Sequence, residues 1–192
     1  DIGLMKMLPG MTVIVPCDYQ QTKAATKAIA DYKGPVYLRF GRPVWPIFTS
    51  PDEPFIIGKA QQFAEGKDVS IFACGHMVWK AIEAGRILEE KGISVDLINI
   101  HTIKPLDEEA VLNSLRKTKC AVTAEEHNII GGLGDAIAQC AAKNFPVPVE
   151  YVGTKDTFGE SGIPKDLLKK YGLDVPDIVS AAEKVISRKK NG

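Results

Sequence analysis

DVSIFACGHMVWKAIEAGRILEEKGISVDLINI, residues 68–100, decides the fold. Its two ends, 68–74 and 94–100, are largely apolar runs of strand length. Between them Val78, Ala81, Ile82, Gly85 and Leu88 recur at three- and four-residue spacing, so 77–91 reads as a helix with one apolar face. Strands that are apolar along most of their length are buried on both faces, the state of parallel strands with helices on either side. Strand, helix and strand in this order predict a parallel pair joined by a crossover.

The same alternation continues downstream. Strands are predicted near 119–124 and 148–152, helices near 107–117 and 132–144, and two further helices near 164–171 and 175–188. The whole is an α/β domain with a doubly wound, mostly parallel sheet. Upstream, GKAQQFAEGKDVSIF (58–72) is predicted to be a hairpin turning at Glu65-Gly66-Lys67.

Residues 41–54, GRPVWPIFTSPDEP, contain four prolines, a density that no regular element accepts. They read as a linker, pressed onto a surface through Trp45, Ile47 and Phe48. Before it, MTVIVP (11–16) and PVYLRF (35–40) read as strands around a helix over 18–32, for which Asp18 is a good N-cap. This is a βαβ unit, but two strands do not make a stable sheet. The expected organisation is a βαβ remnant of a second α/β domain at 1–42, a linker at 43–54 and the main domain at 55–192. The chain opens at Asp1 without a methionine, so the polypeptide is expected to continue upstream.

Composition narrows the function. A chain of 192 residues with no net charge argues against a partner held by bulk electrostatics, such as nucleic acid. The one basic cluster, Arg188 to Lys190, suits a solvated helix end. No apolar run approaches the roughly 20 residues that span a bilayer, so no membrane partner is expected. The cysteines at 17, 74, 120 and 140 lack CxxC spacing and sit in apolar surroundings, which predicts buried thiols and a cytoplasmic location.

In such a sheet, ligands bind outside the carboxyl ends of the strands. The loops there are Gly75-His76, His101 to Pro105, Glu125 to Asn128 and Gly153 to Asp156, and they hold all three histidines. His76, His101 and His127 are thus candidates, although nothing in the sequence brings them together. Their spacing gives no HxxxH or HExxH metal motif, and neither a GxSxG elbow nor a phosphate loop occurs. Gly131, Gly132 and Gly134 lie between a strand and a helix, as in a dinucleotide fingerprint. The pattern is GGxGD, seven residues beyond Ala124, with Ile137 where the third glycine belongs. It predicts a tight approach of backbone to a neighbour, such as another subunit, and not a phosphate cradle.

Four runs together resemble the C-terminal part of transketolase: GPVYLRFGRP, the stretch from Gly66 to Asp107, AEEHNIIGGLGDAI, and GTKDTFGESGIPKDLLKKYGL. The resemblance implies thiamine diphosphate and magnesium in the complete enzyme. It implies transfer of a two-carbon ketol unit from a ketose phosphate to an aldose phosphate, in carbohydrate metabolism of the pentose phosphate kind. The family's GDG cofactor motif and its activating glutamate are not in this chain. The resemblance therefore implies an N-terminal cofactor-binding domain or subunit as partner, a dimer or other homo-oligomer, and neither cofactor nor activity on this chain alone. In transketolases an arginine just after the last strand of the pyrimidine-binding domain contacts the sugar phosphate. Arg42 of YLRFGR matches that place, with Arg39 as its rival. Gly41 and Pro43 stand where the family has serine and glutamine. The resemblance carries over no catalytic, cofactor-binding or metal residue in the remaining domain, whose implied role is assembly. Two other readings stay open: the same section of a deoxyxylulose-phosphate synthase or 2-oxo acid dehydrogenase β subunit, and a non-enzymatic nucleotide-binding or regulatory module.

Overall fold

The computed structural model describes residues 1–190. A five-stranded sheet has the order β3-β5-β4-β7-β8, from β3 (Gln61–Ala64), β4 (Val69–Ala73), β5 (Val95–Asn99), β7 (Ala121–Asn128) and β8 (Val149–Thr154). β4, β5, β7 and β8 run parallel, and β3 is antiparallel at one edge. All five residues of β4 are buried, as its apolar run requires. Alternate side chains of that strand feed two cores. Ile71 and Ala73 pack with Val78, Ala81 and Leu88 of α3 (Met77–Glu90) and with Ile178, Ala182 and Val185 of α7 (Val175–Lys190). Phe72 on the opposite face packs with Val111 and Leu115 of α4 (Glu108–Thr118) and with Leu133 and Ile137 of α5 (Leu133–Asn144). Fully burying a side chain of this size contributes about 1.5–3 kcal/mol, so these two layers hold the sheet. α6 (Pro164–Lys170) starts on a proline at its first turn, where the missing N–H is no loss.

The 58–72 segment is not a hairpin. β3 pairs with β5, Gln61 opposite Asn99, and not with β4. The reason is that β4 has parallel neighbours on both sides, β5 and β7, which use both rows of its backbone groups. An incoming strand can add only at the free edge of β5.

A second, three-stranded sheet has the order β2-β1-β6. β1 (Thr12–Ile14) and β2 (Val36–Leu38) are parallel around α2 (Tyr19–Ala30). The third strand is β6 (Thr102–Lys104), antiparallel to β1 and contributed from beyond β5. The pair that looked incomplete in sequence is thus joined by a strand from far along the chain. A short helix that the sequence reading missed, α1 (Ile2–Met7), precedes β1 and is capped by the Asp1 side chain. Ile2, Val13 and Val15 enter the same core as Phe72 and Ile98, so one apolar layer crosses the seam between the sheets.

Asp18 ties this seam to the proline-rich segment. It caps α2 by accepting from Gln21 N at 2.9 Å, and it also accepts from Phe48 N (2.8 Å), Thr49 N (2.7 Å) and Thr49 Oγ1 (2.6 Å). Burial opposes its charge, but these bonds from Gln21, Thr49 and Phe48 hold its carboxyl below the usual aspartate range. Phe48 then lies against Phe63 and Trp79, with ring centroids 5.7 and 5.4 Å away. Phe48 and Trp45, the latter against the His76 ring, press the segment onto a surface as predicted, whereas Ile47, expected to do the same, is exposed because its side chain leaves that surface for solvent.

Candidate functional site

The chain adds β5 on one side of β4 and then β7 on the other, so the winding direction reverses between β4 and β7. In open α/β sheets the ligand crevice lies at that reversal, outside the carboxyl ends of the two strands. Here β4 is followed by Gly75 and His76, and β7 ends in Glu126, His127 and Asn128. His76 Nδ1 lies 3.5 Å from Glu126 Oε2. The hydrogen bond with His76, and secondarily the charge of Arg39, hold the Glu126 carboxyl below its usual range.

Arg39 reaches this point from the end of β2. Its Nη2 donates to Glu126 O at 2.8 Å and its Nε pairs with Asp1 Oδ2 at 3.0 Å. Tyr37 OH donates to the same Asp1 oxygen at 2.9 Å. His127 is half-buried, with Nδ1 2.7 Å from Asn128 O and Nε2 3.4 Å from Gly3 N. Those two contacts together require the neutral tautomer with the proton on Nδ1, and burial favours the neutral ring by lowering its pKa. A cavity of about 690 Å³ opens above these groups, between them and Leu168 and Tyr171.

The other wall of the crevice is residues 41–45. Trp45 stacks on the His76 ring with centroids 4.5 Å apart and planes 13° from parallel. Gly41 lies so close to the same ring that a Cβ on it would overlap His76 Cε1. Between them stands Arg42, exposed and in no ion pair with any described residue. It borders a neighbouring cavity of about 520 Å³ whose lining includes Cys17, Asp18 and Thr22. The structure therefore separates the two arginines: the Arg39 guanidinium is bound to the chain itself, and that of Arg42 is free.

Of the three histidines, His76 and His127 come together and His101 does not. His101 is buried at the seam, 4.2 Å from the Phe55 ring centroid, with Nδ1 3.0 Å from Thr102 Oγ1. Burial pushes its pKa down to about 4. Among the described residues no group of three His, Cys, Asp or Glu side chains could hold a metal ion. All four cysteines are free and buried.

The glycine corner is a close-packed contact within the chain. Glu125, buried beneath α5, accepts from Leu133 N at 2.7 Å and from Gly134 N at 2.8 Å. It occupies the place at the helix N-terminus that an anion would take. A Cβ on Gly132 would collide with its Oε2. Burial raises the Glu125 pKa against the lowering effect of those two N–H bonds and of Lys6. Gly134 is crowded in the same way by the Tyr151 ring, and Gly131 has a positive φ of 81° and faces Gly3 of α1, while Lys6 of α1 donates to Gly132 O at 2.6 Å, so the neighbours that need small residues here, Glu125 and Tyr151, belong to the same chain. Sequence reading missed this capping role of Glu125; the only signal was an acidic residue at a strand end shortly before a glycine turn.

Comparison with known proteins is consistent with this architecture. The family described as Transketolase, C-terminal domain, matches residues 58–178. A 6-deoxy-6-sulfo-D-fructose transketolase subunit, SqwH, of Clostridium sp. (strain MSTE9) is 46% identical over 98% of this chain and 59% of its own length. A putative transketolase C-terminal section of Methanocaldococcus jannaschii is 44% identical over 91% of this chain and 55% of its own. A solved structure described as a split gene transketolase, inactive beta4 tetramer, superposes with a TM-score of 0.96 at 46% identity, covering 98% of this chain and 62% of that one. The chain thus spans somewhat more than half the length of these three proteins.

Proposed function

The chain belongs to the transketolase C-terminal domain family, and from that premise we propose that it is the C-terminal part of a transketolase. Together with a thiamine diphosphate-binding partner or domain it serves the transfer of a two-carbon ketol unit between sugars that carry an anionic tail. The observation that carries this reading is the extent of the likeness. It runs beyond the family domain at 58–178 through the β2-β1-β6 sheet and the segment bearing Arg42.

The glycine turn of this chain does not fit the diphosphate of thiamine diphosphate. A helix N-terminus or glycine cradle with free N–H groups is a ready anion site. The glycine turn before α5 instead presents its N–H groups to Glu125, whose carboxylate would repel a phosphate. On this reading the diphosphate and its magnesium are held by the partner. The role of this chain is to hold the substrate and the assembly. Exposed apolar side chains on α1, Leu4 and Met7, and on the loop before α6, Phe158 and Ile163, suit a surface covered by a partner or a second copy. Four unpaired buried thiols suit a cytoplasmic setting.

Arg42 is the substrate contact. A planar, permanently charged guanidinium with no internal partner suits a phosphate dianion or a sulfonate. Losing one hydrogen bond to a charged group costs roughly 1.5–3 kcal/mol, or about 10- to 150-fold in kcat/KM. The test is Arg42→Ala in the complete enzyme, with a phosphorylated ketose and with hydroxypyruvate as donors and one unphosphorylated aldehyde as acceptor. The phosphorylated donor should lose that factor and hydroxypyruvate should not. Equal loss for both donors makes Arg42 structural, and no loss for either rules it out as the contact.

A further inference from the structure

We propose that His76, in the domain to which the resemblance assigns only assembly, is a positioning residue for Arg42. The proposal rests on the reading of Arg42 as the contact for the substrate's anionic tail. Its own ground is the geometry of residues 41–45. Gly41 and Trp45, the two ends of that segment, both rest on the imidazole of His76: the first at a distance that leaves no room for a Cβ, the second in a near-parallel stack at 4.5 Å. Arg42 lies between these two anchors and has no ion-pair partner of its own, so the direction of its side chain is set by the backbone that carries it. His76 is in turn fixed from below. Its side chain is only 13% exposed, and Nδ1 faces Glu126, whose carbonyl accepts from Arg39.

The winding reversal between β4 and β7 is where sheets of this type seat a ligand. Here that seat holds the chain's own segment, so the position of Arg42 is referred to the rigid carboxyl end of β4. This accounts for the glycine at 41. A serine, as the family has there, would drive its Cβ into the imidazole. Glycine at 41 and histidine at 76 therefore form a matched pair, and the anion contact is built across the two sheets.

Displacing a binding group by about 1 Å can cost up to 100-fold. We expect His76→Ala to lower kcat/KM for a phosphorylated ketose by about 5- to 20-fold, chiefly through KM, and to leave hydroxypyruvate turnover within about twofold. Gly41→Ala, which pushes the ring aside, should act in the same direction. The double variant should be no worse than His76→Ala alone, because the ring atoms that the added methyl would strike are then gone. His76→Phe, which keeps a ring for Trp45 to stack on, should recover part of the loss. Amide hydrogen exchange in peptides spanning 39–49 should quicken in His76→Ala, a readout independent of catalysis.

The experiment is this set of variants in the complete enzyme, with Arg42→Ala alongside and thermal unfolding of each. If Arg42→Ala shows no preference for the phosphorylated donor, the reading of Arg42 falls and the proposal with it. If Arg42→Ala is selective but His76→Ala affects both donors equally, only the positioning role falls. Multiplicative losses in the double variant, or unchanged exchange at 39–49, overturn it as well.

Discussion

Replacing Asp18 with alanine tests how the three-stranded sheet is held to the segment that carries Arg42. The carboxylate accepts four hydrogen bonds, from Gln21 N, Phe48 N, Thr49 N and Thr49 Oγ1. Loss of the cap on α2 alone costs about 1 kcal/mol. The other three bonds, at about 1.5–3 kcal/mol each to a charged acceptor, set an upper bound near 10 kcal/mol for the whole site. Bonds of one network are not additive, and the freed N–H groups of Phe48 and Thr49 regain water as the segment lifts. A net loss of about 3–5 kcal/mol remains, and in a chain of this size each kcal/mol moves Tm by about 2–4 °C. Calorimetry at pH 7 should therefore place Asp18→Ala about 6–20 °C below the parent. Asp18→Asn should fall between them, because its oxygen can still cap α2 but its amide cannot accept from the segment.

The sign of the pH dependence follows from the lowered folded-state pKa of Asp18. Its stabilisation is fully present above the ordinary aspartate pKa of about 3.9 and is lost as pH falls through the lower folded value. The gap between parent and Asp18→Ala should therefore be flat from pH 8 to 5 and close only in stronger acid. A Tm change under about 2 °C at pH 7, on the same conversion, or a gap that already narrows between pH 7 and 5, would refute the reasoning.

Two further outcomes follow from the same structure. Gly132→Ala should lower stability by about 2–4 kcal/mol, since its Cβ drives the Glu125 carboxylate off two buried N–H groups; urea unfolding of Gly132→Ala/Glu125→Ala should show no added loss over Glu125→Ala. His101, with a folded pKa of about 4, is neutral in the fold where the unfolded chain would bind a proton. Stability should then decrease by up to about 3 kcal/mol as pH falls from 6.5 to 4, and urea titrations of His101→Gln should show a flatter slope across that window.

Much of the fold is legible in the sequence because burial on two faces leaves a dense signal. The runs at 69–73 and 95–99 are largely apolar, with Ser70, Asp96 and Asn99 as buried polar exceptions, since parallel strands are covered by α3 and α7 on one side and α4 and α5 on the other. Pairing partners are not legible in the same way. Nothing in GKAQQFAEGKDVSIF says that both edges of β4 are already taken, and only that fact sends β3 to β5. Thr102–Lys104 is too short to announce a strand, and it exists because β1 offers it an edge. At the site, the sequence offers His76 and Glu126 as loop residues 50 positions apart and Arg39 as part of a strand. Only the winding of the sheet brings the three together. The glycine turn is readable as a close approach, but the neighbours that approach, Glu125 and the Tyr151 ring, are brought to it by the pairing of β7 with β8, which no local pattern in the sequence states.

The central claim, our proposal that this chain is the C-terminal part of a transketolase, is tested most directly by reconstitution. Two-carbon transfer from a phosphorylated ketose would be followed for the pure chain and for a mixture that also supplies the cofactor-binding part and the activating glutamate that this chain lacks, with cofactor and magnesium present in both. The account predicts background rates for the chain alone and turnover for the mixture. Turnover by the chain alone, or none by a mixture shown to assemble, would contradict it.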